Sequence, residues 1–413
     1  MPAVTIESAI APNPILTCDI AIVGGGIVGH TLAMSLQQTG LQVILIEAQP
    51  ESIAVAKGRA YALSILSGRI FQGLGIWEQV LPHFSQFSQI QISDADSPAI
   101  VHLLPQNLGT AALGYAAGHG VLLNALQSQL ESTDNFSYLC PAQVDRVSYQ
   151  ADRCELAITT PTGQVLIHST LTVGADGAKS PLRQQATINT KGWAYWQSCV
   201  TATIIPEHPH QNIAYERFWS DGPLGVLPLA DGRVQIVWTA PHQQAQELVE
   251  MSIEEFTDRL QTATGNILGK LTIDSPRFLF PVQLMQSDRY IKHRLALVGD
   301  AAHCCHPVAG QGMNLGIRDA AALAEILATA HQQGEDLGSA QVLQRYQNWR
   351  QPENWAILAF TDFLDRFFST NLWPVVVARR IGLRILENIP GGKHLSLRLM
   401  TGLAGRIPKV AQS

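Results

Sequence analysis

The stretch LALVGDAAHCCHPVAGQGMNLG, residues 295–316, decides the fold. Its apolar run, Leu295 to Val298, ends on Gly299-Asp300, and the turn Gly310-Gln311-Gly312 then opens the longest helical pattern in the chain, reaching about His331. An aspartate therefore sits at a strand tip, near a helix start whose first N–H groups have no partner within the helix. A carboxylate that accepts from sugar hydroxyls, beside free N–H groups and the positive end of a helix dipole, suits a polyhydroxylated, anionic cofactor.

The same device recurs towards the N-terminus. Cys18 to Val23 reads as a short strand running into Gly24-Gly25-Gly26-Ile27-Val28-Gly29, then a helical stretch to about Thr39, then a second strand, Val43 to Ile46, ending in Glu47. A G-x-G-x-x-G (Gly24, Gly26, Gly29) between strand and helix, with an acid 23 positions after its first glycine, is a dinucleotide-binding arrangement. The glycines let the backbone approach a pyrophosphate, and Glu47 is placed to hold ribose hydroxyls. Taken with the Asp300 tip, the motif points to FAD.

A third apolar strand delivers an aspartate at Gly174-Ala175-Asp176-Gly177, followed by Ser180 and Arg183. Before it, Phe136 to Val173 carries β-rich runs with a hairpin turn at Pro161-Thr162-Gly163. Gln89 to Leu104 alternates weakly, and Lys191 to Val282 is strand-like apart from an acidic helix over Ile253 to Thr262. The predicted organisation is α/β: a Rossmann-like FAD-binding domain in three parts (1–85, 113–188 and 287–350), an inserted β-sheet substrate domain in two (86–112 and 189–286), and a C-terminal helical segment (351–413).

Composition narrows the class. Charged residues are 15% of the 413, against the usual ~25%, yet no apolar run approaches the ~18 residues of a membrane span. Met1 to Thr17 has no basic region and three prolines, and reads as a flexible tail, so the expected location is the cytoplasm. None of the six cysteines forms a CxxC and no Cys/His cluster has zinc spacing, so no metal is expected. The vicinal Cys304-Cys305 allows a redox role, or simply fills a tight turn. With a net charge of −6, no nucleic-acid partner is expected. From Glu353 onward, however, eight Lys/Arg face four Asp/Glu. Near the end, Arg379, Arg380, Arg384 and Glu387 share a helical arc of about 140°. Such a helix fits peripheral contact with an anionic membrane, and equally fits packing on its own protein or on a second subunit.

Three motifs now stand in order: GGGIVG at 24–29, GADGAKS at 174–180 and GDAAHCCHPVAGQGMN at 299–314. Together they resemble the single-component FAD-dependent aromatic hydroxylases of the p-hydroxybenzoate hydroxylase-like superfamily, most closely the hydroxylases of ubiquinone biosynthesis. The resemblance extends over nearly the whole chain. RAYALS at 59–64 is similar to that subgroup's arginine stretch, and Gly382-Leu383, Pro390, Lys393 and Met400-Thr401-Gly402-Leu403 are similar to its close. The resemblance implies that Gly24, Gly26, Gly29 and Glu47 hold the ADP half of FAD. Arg59 would approach the pyrophosphate, Gly299 and Asp300 the ribityl chain, and Asp176 and Gly177 both FAD and NAD(P)H.

The resemblance also implies that the backbone of Pro307, Gly310, Gln311, Gly312, Met313 and Asn314 positions the flavin. No side-chain acid or base is assigned, and His303 reads as a hydrogen-bonding histidine. The implied reaction begins with reduction of the flavin by NAD(P)H. Oxygen then adds at C4a, and the hydroperoxide hydroxylates the ring of a lipophilic, prenylated phenol or quinone precursor. Ala117-Gly118-His119 stands where the subgroup carries Val-Glu-Asn, so the substrate or reaction could differ. A reductase or epoxidase of isoprenoid lipids, or a non-catalytic prenyl-binding protein on the same fold, stay open as alternatives.

Overall fold

A computed structural model describes residues 15–50, 59–95 and 97–412. Most of the N-terminal arm lies outside the described residues, but Ile15 to Thr17 already belong to the first strand, Ile15–Val23. Among the described residues one sheet has eight strands. At its centre Ile15–Val23 runs parallel both to Val43–Ile46 and to Gly163–Gly174, and Leu295–Leu297 runs parallel to the latter. These strands read as continuous apolar runs because both faces are covered, one by helices and the other by the strands Gln143–Tyr149 and Cys154–Thr160, as a buried parallel sheet requires. The register explains the motif spacing. Val23 pairs with Ile46 and with Gly174, and Gly174 pairs with Leu297. Three chain segments far apart in sequence thus end level, and their loops gather at one sheet edge.

The second sheet has nine described strands, from His303–Cys304 at one edge to Ile100–Leu103 at the other. It takes in Gln89–Asp94, the long Thr190–Pro206, Ile213–Trp219 and Phe278–Ser287. It has its own core, with Val200, Leu224, Ile236 and Phe256 among its members. His303–Cys304 pairs with Met285 and Gln286, so the central motif itself forms an edge strand of this sheet. A two-residue strand has no periodicity, so the sequence carries no sign of it.

The C-terminal region differs from expectation in two ways. A boundary at 350/351 falls inside one 29-residue helix, Ala340–Phe368, which continues through Pro352. Buried side chains on both sides of the proline, Trp349 and Arg350 before it and Asn354 and Ile357 after it, hold the helix together despite the lost backbone bond. The next helix, Trp373–Asn388, turns Arg379 and Glu387 of its charged arc inward and leaves Arg384 exposed. Buried Arg379 donates to Asp94 Oδ2 at 2.8 Å and to the carbonyl of Phe368, and Glu387 Oε2 accepts from the His102 amide and from Lys393, both at 2.8 Å. Ion pairs with the second sheet thus choose the buried face. The apolar positions Trp373, Val377, Ile381, Ile385 and Ile389 are left outside, each 45–76% exposed. Among the described residues no helix is long and apolar enough to cross a membrane.

Candidate cofactor and substrate site

The three loop tips line one cavity of about 870 Å³ between the two sheets, near the upper end of the usual ~300–1,000 Å³ for ligand sites. Gly24, Gly26, Glu47, Arg59, Asp176 and Gly177 border it. So do Asp300, Pro307, Gly310, Gly312 and Met313.

Gly24 adopts a φ of +112°, and a Cβ there would lie 2.3 Å from the Ala175 carbonyl oxygen, so the two loops touch backbone to backbone. Gly26 is different: a Cβ would meet nothing within 4 Å and would project into open cavity. Glu47 accepts from the Gly25 N–H and the Gln49 N–H, each at 2.7 Å, which locks its carboxylate at the cavity wall. The Arg59 guanidinium lies 5.1 Å from the centre of the Phe280 ring, in the same wall.

Two carboxylates are set up for an incoming donor. Asp176 Oδ2 accepts from the Leu182 amide, while Oδ1 is buried without a partner. Asp300 is exposed to the cavity, with protein packed around its other sides. Burial pushes both carboxyls above the ordinary carboxylate range. The helix Gln311–Gln332 begins at Gly310, which is left-handed, and no side chain caps its first turn. An open glycine cradle, an orphaned acid and uncapped amides are what the diphosphate, ribityl hydroxyls and polar ring edge of FAD require.

Four predicted site residues do not border this cavity. Gly29 packs its helix against the Gly24 carbonyl, with only 2.0 Å left for a Cβ. Gly299, at a φ of +61°, turns the chain beside Val28 and Gly316. Gln311 donates to the carbonyls of Ala309 and Met400. Asn314 accepts from the Ser64 amide and Ser67 hydroxyl and donates to the carbonyls of Ala62 and Gly310, which uses its full side-chain capacity. Gln311 and Asn314 shape the turn, and their side chains have no bond left for a cofactor in the case of Asn314 and point elsewhere in that of Gln311.

Buried groups behind the cavity carry part of its geometry. His303 is hydrogen-bonded to Asp319 Oδ2 at 2.6 Å, and the same oxygen accepts from the Gly299 amide at 3.1 Å. Asp319 Oδ1 accepts from Arg350 Nε and Asn354 Nδ2. Arg183 donates to the carbonyls of Ala178 and Ala301, tying the middle motif to the third. Burial pushes the Cys304 thiol far up and that of Cys305 to about 12, which favours the protonated form of both. His119, at the point of departure from the subgroup pattern, borders the cavity with its Nδ1 3.0 Å from the Tyr61 hydroxyl.

A second cavity, about 220 Å³, shares Ala62, Leu227, Val237, Pro307 and Gly310 with the first. Its walls are apolar: Ile92, Leu103, Phe218, Leu364, Phe368 and Leu383.

The sequence matches the FAD binding domain family over residues 17–361. It is 49% identical over 393 residues to an uncharacterised protein of Synechocystis, covering 95% of both chains. It is 35% identical to the ubiquinone hydroxylase UbiL of Rhodospirillum rubrum, covering 93% of this chain and 89% of that one. To the 3-demethoxyubiquinol 3-hydroxylase of Escherichia coli it is 33% identical, covering 93% and 98%. The fold superposes on p-nitrophenol 4-monooxygenase PnpA of Pseudomonas putida with a TM-score of 0.81 at 17% identity, covering 95% and 99%.

Proposed function

This chain belongs to the FAD-binding-domain family of flavin-dependent aromatic hydroxylases, and on that premise we propose that it hydroxylates the ring of a prenylated phenol or quinone precursor, with NAD(P)H as electron donor. The observation that carries the reading is the apolar cavity that meets the cofactor cavity at Pro307 and Gly310. Such a site suits the ring and the first part of the tail of a lipophilic aromatic, the ring at the shared turn and the tail against Phe368 and Leu383. The names of the ubiquinone hydroxylase relatives support the same substrate class.

Gly24, Gly26 and Glu47 would hold the ADP half of FAD, Arg59 its diphosphate, Asp300 the ribityl chain, and the Gly312 and Met313 amides the polar edge of the flavin. When bound, FAD supplies the redox chemistry that activates O2. The protein positions the ring through the Pro307–Gly310 turn, keeps water out with apolar walls, and aims the first-turn amides at negative charge. The direct test is the visible spectrum of the purified protein with anaerobic NADPH, with and without a prenylated phenol. Bands near ~450 nm that bleach faster with the phenol, and a hydroxylated product in air, are expected. A protein that stays colourless with added FAD would sink this function.

The outward apolar face of Trp373–Asn388 is read as the membrane contact of an enzyme with a lipid substrate. The opposite face of the same helix supplies Leu383 and Leu386 to the apolar cavity. Exposed Arg384, His394 and Arg398 flank the apolar face, while Glu387 is tied to Lys393 and His102. That charge pattern complements an anionic lipid surface. Wild-type protein is expected to float with phosphatidylglycerol-containing vesicles, and a Trp373→Glu/Ile381→Glu variant is expected to stay behind. Equal behaviour of the two proteins would refute the contact.

A further inference from the structure

Among the described residues one carboxylate lines the apolar cavity, and neither the fold nor the cofactor reading uses it. Glu216 lies in the strand Ile213–Trp219, where alternation places it on the same face as Ala214 and Phe218, which also line the cavity. It pairs across to Ile92 on one side and to Gly225 on the other. Gly225 offers no side chain to cover it: a Cβ there would lie 3.7 Å from Glu216 Oε2. The carboxyl lies near the backbone amide of Ala309, at the Pro307–Gly310 turn where the two cavities meet.

Ala309 holds a φ of +58°, unusual for a non-glycine residue, in the turn that presents this amide. Among the described residues no arginine or lysine borders the apolar cavity. The titratable groups near Glu216 are Cys199 on the sheet, a thiol that burial holds at about 12, and Tyr215, a phenol that burial also raises. Arg217 projects to Ala95 and Trp219, and Arg59 stands in the wall of the cofactor cavity. A half-buried acid that faces an apolar cavity and makes no ion pair among the described residues is costly to the fold, and a glutamine would serve packing as well. Burial raises the carboxyl to about 7, so both protonation states are accessible near neutrality.

We propose that Glu216 accepts the hydrogen bond and then the proton of the substrate's ring hydroxyl, and so fixes which ring edge faces the Pro307–Gly310 turn. The inference rests on the lipophilic-phenol reading above. In the step, the phenol O–H bond breaks, its electron pair stays on oxygen as phenolate, and the proton passes to the carboxylate, which becomes a neutral acid. Total charge in the pocket is unchanged. The ring becomes more electron-rich, which favours attack on an electrophilic oxygen.

The test uses FAD-loaded protein with two probes, 2-geranylphenol and its methyl ether, which has no hydroxyl to donate. Wild type is expected to bind the phenol roughly tenfold tighter than the ether near pH 8, in line with a hydrogen bond to a charged group. Glu216→Leu, which offers no acceptor, is expected to bind both alike, and Glu216→Gln, whose amide oxygen still accepts but takes no proton, is expected to keep part of the preference with ring hydroxylation at least about a hundredfold slower. Folding is checked by melting. The raised carboxyl is most favourable below its unfolded value and costs stability as pH rises through about 7. Glu216→Gln should therefore gain Tm over wild type at pH 8 and lose that advantage at pH 5, and Glu216→Leu should follow it. If Glu216→Leu still prefers the phenol roughly tenfold, or Glu216→Gln hydroxylates at the wild-type rate, the assignment is overturned. Equal binding of both probes by wild type overturns Glu216 alone, whereas binding of neither overturns the substrate class as well.

Discussion

Asp319→Ala is expected to destabilise the protein by about 3–5 kcal/mol, the usual cost of removing one partner from a buried ion pair. The carboxylate is fully buried and serves four groups: His303, Arg350, Asn354 and the Gly299 amide. Its loss takes the acceptor from Arg350 Nε, in a side chain 1% exposed that keeps only Glu353 and Asn354, and frees the turn that carries Asp300. The effect has a defined pH dependence. Burial pushes the Asp319 carboxyl up, but His303, Arg350 and its hydrogen bonds outweigh this and hold it far below its ordinary 3.8. A depressed folded value gives stability that is present above the unfolded value and lost as pH falls through the folded one. Urea denaturation should therefore show the full gap between wild type and variant at pH 7, shrinking below pH 4. A gap of less than 1 kcal/mol at pH 7 would mean that the network is not structural. Asp319→Asn keeps the shape and part of the hydrogen bonding, and should fall between the two.

The second large effect separates cofactor binding from folding. Gly26→Ala is expected to leave the melting temperature of the FAD-free protein within about a degree of wild type, because its backbone is at φ −76° and a methyl group meets no protein atom. It should weaken FAD by roughly a hundredfold or more, because the methyl fills the path along which the backbone approaches a diphosphate. Gly24→Val should damage both properties. Its φ of +112° is forbidden to a β-branched residue, and the side chain would collide with the Ala175 carbonyl. Flavin fluorescence titration and melting of the same samples read the two effects. Unchanged FAD affinity in Gly26→Ala would remove this loop from the cofactor site.

The contrast between these glycines shows how far a sequence carries. A G-x-G-x-x-G between a strand and a helix, and aspartates at strand tips, are local patterns, because tight turns and buried parallel strands restrict residue choice within a few positions. Gly24, Gly26, Glu47, Asp176 and Asp300 were legible for that reason, as were the two sheets. The same patterns say less about which glycine faces the ligand. Gly26 opens on the cavity while Gly29 packs a helix, and only the packing distinguishes them.

Sequence alone determined the order of strands and turns, and with it the cofactor class, since backbone geometry ties those features to near neighbours. Tertiary structure decided everything set by a partner far along the chain. Asp319 looks like one more polar residue on a helix until Arg350, 31 positions later, closes on it. The charges of Trp373–Asn388 could face either way until Asp94 takes Arg379, 285 positions distant. Glu216 reads as an ordinary strand residue until helices from the end of the chain cover it with apolar side chains. Periodicity shows that a helix or strand has two faces, but the energy that selects the buried one comes from contacts that exist only once the chain has folded.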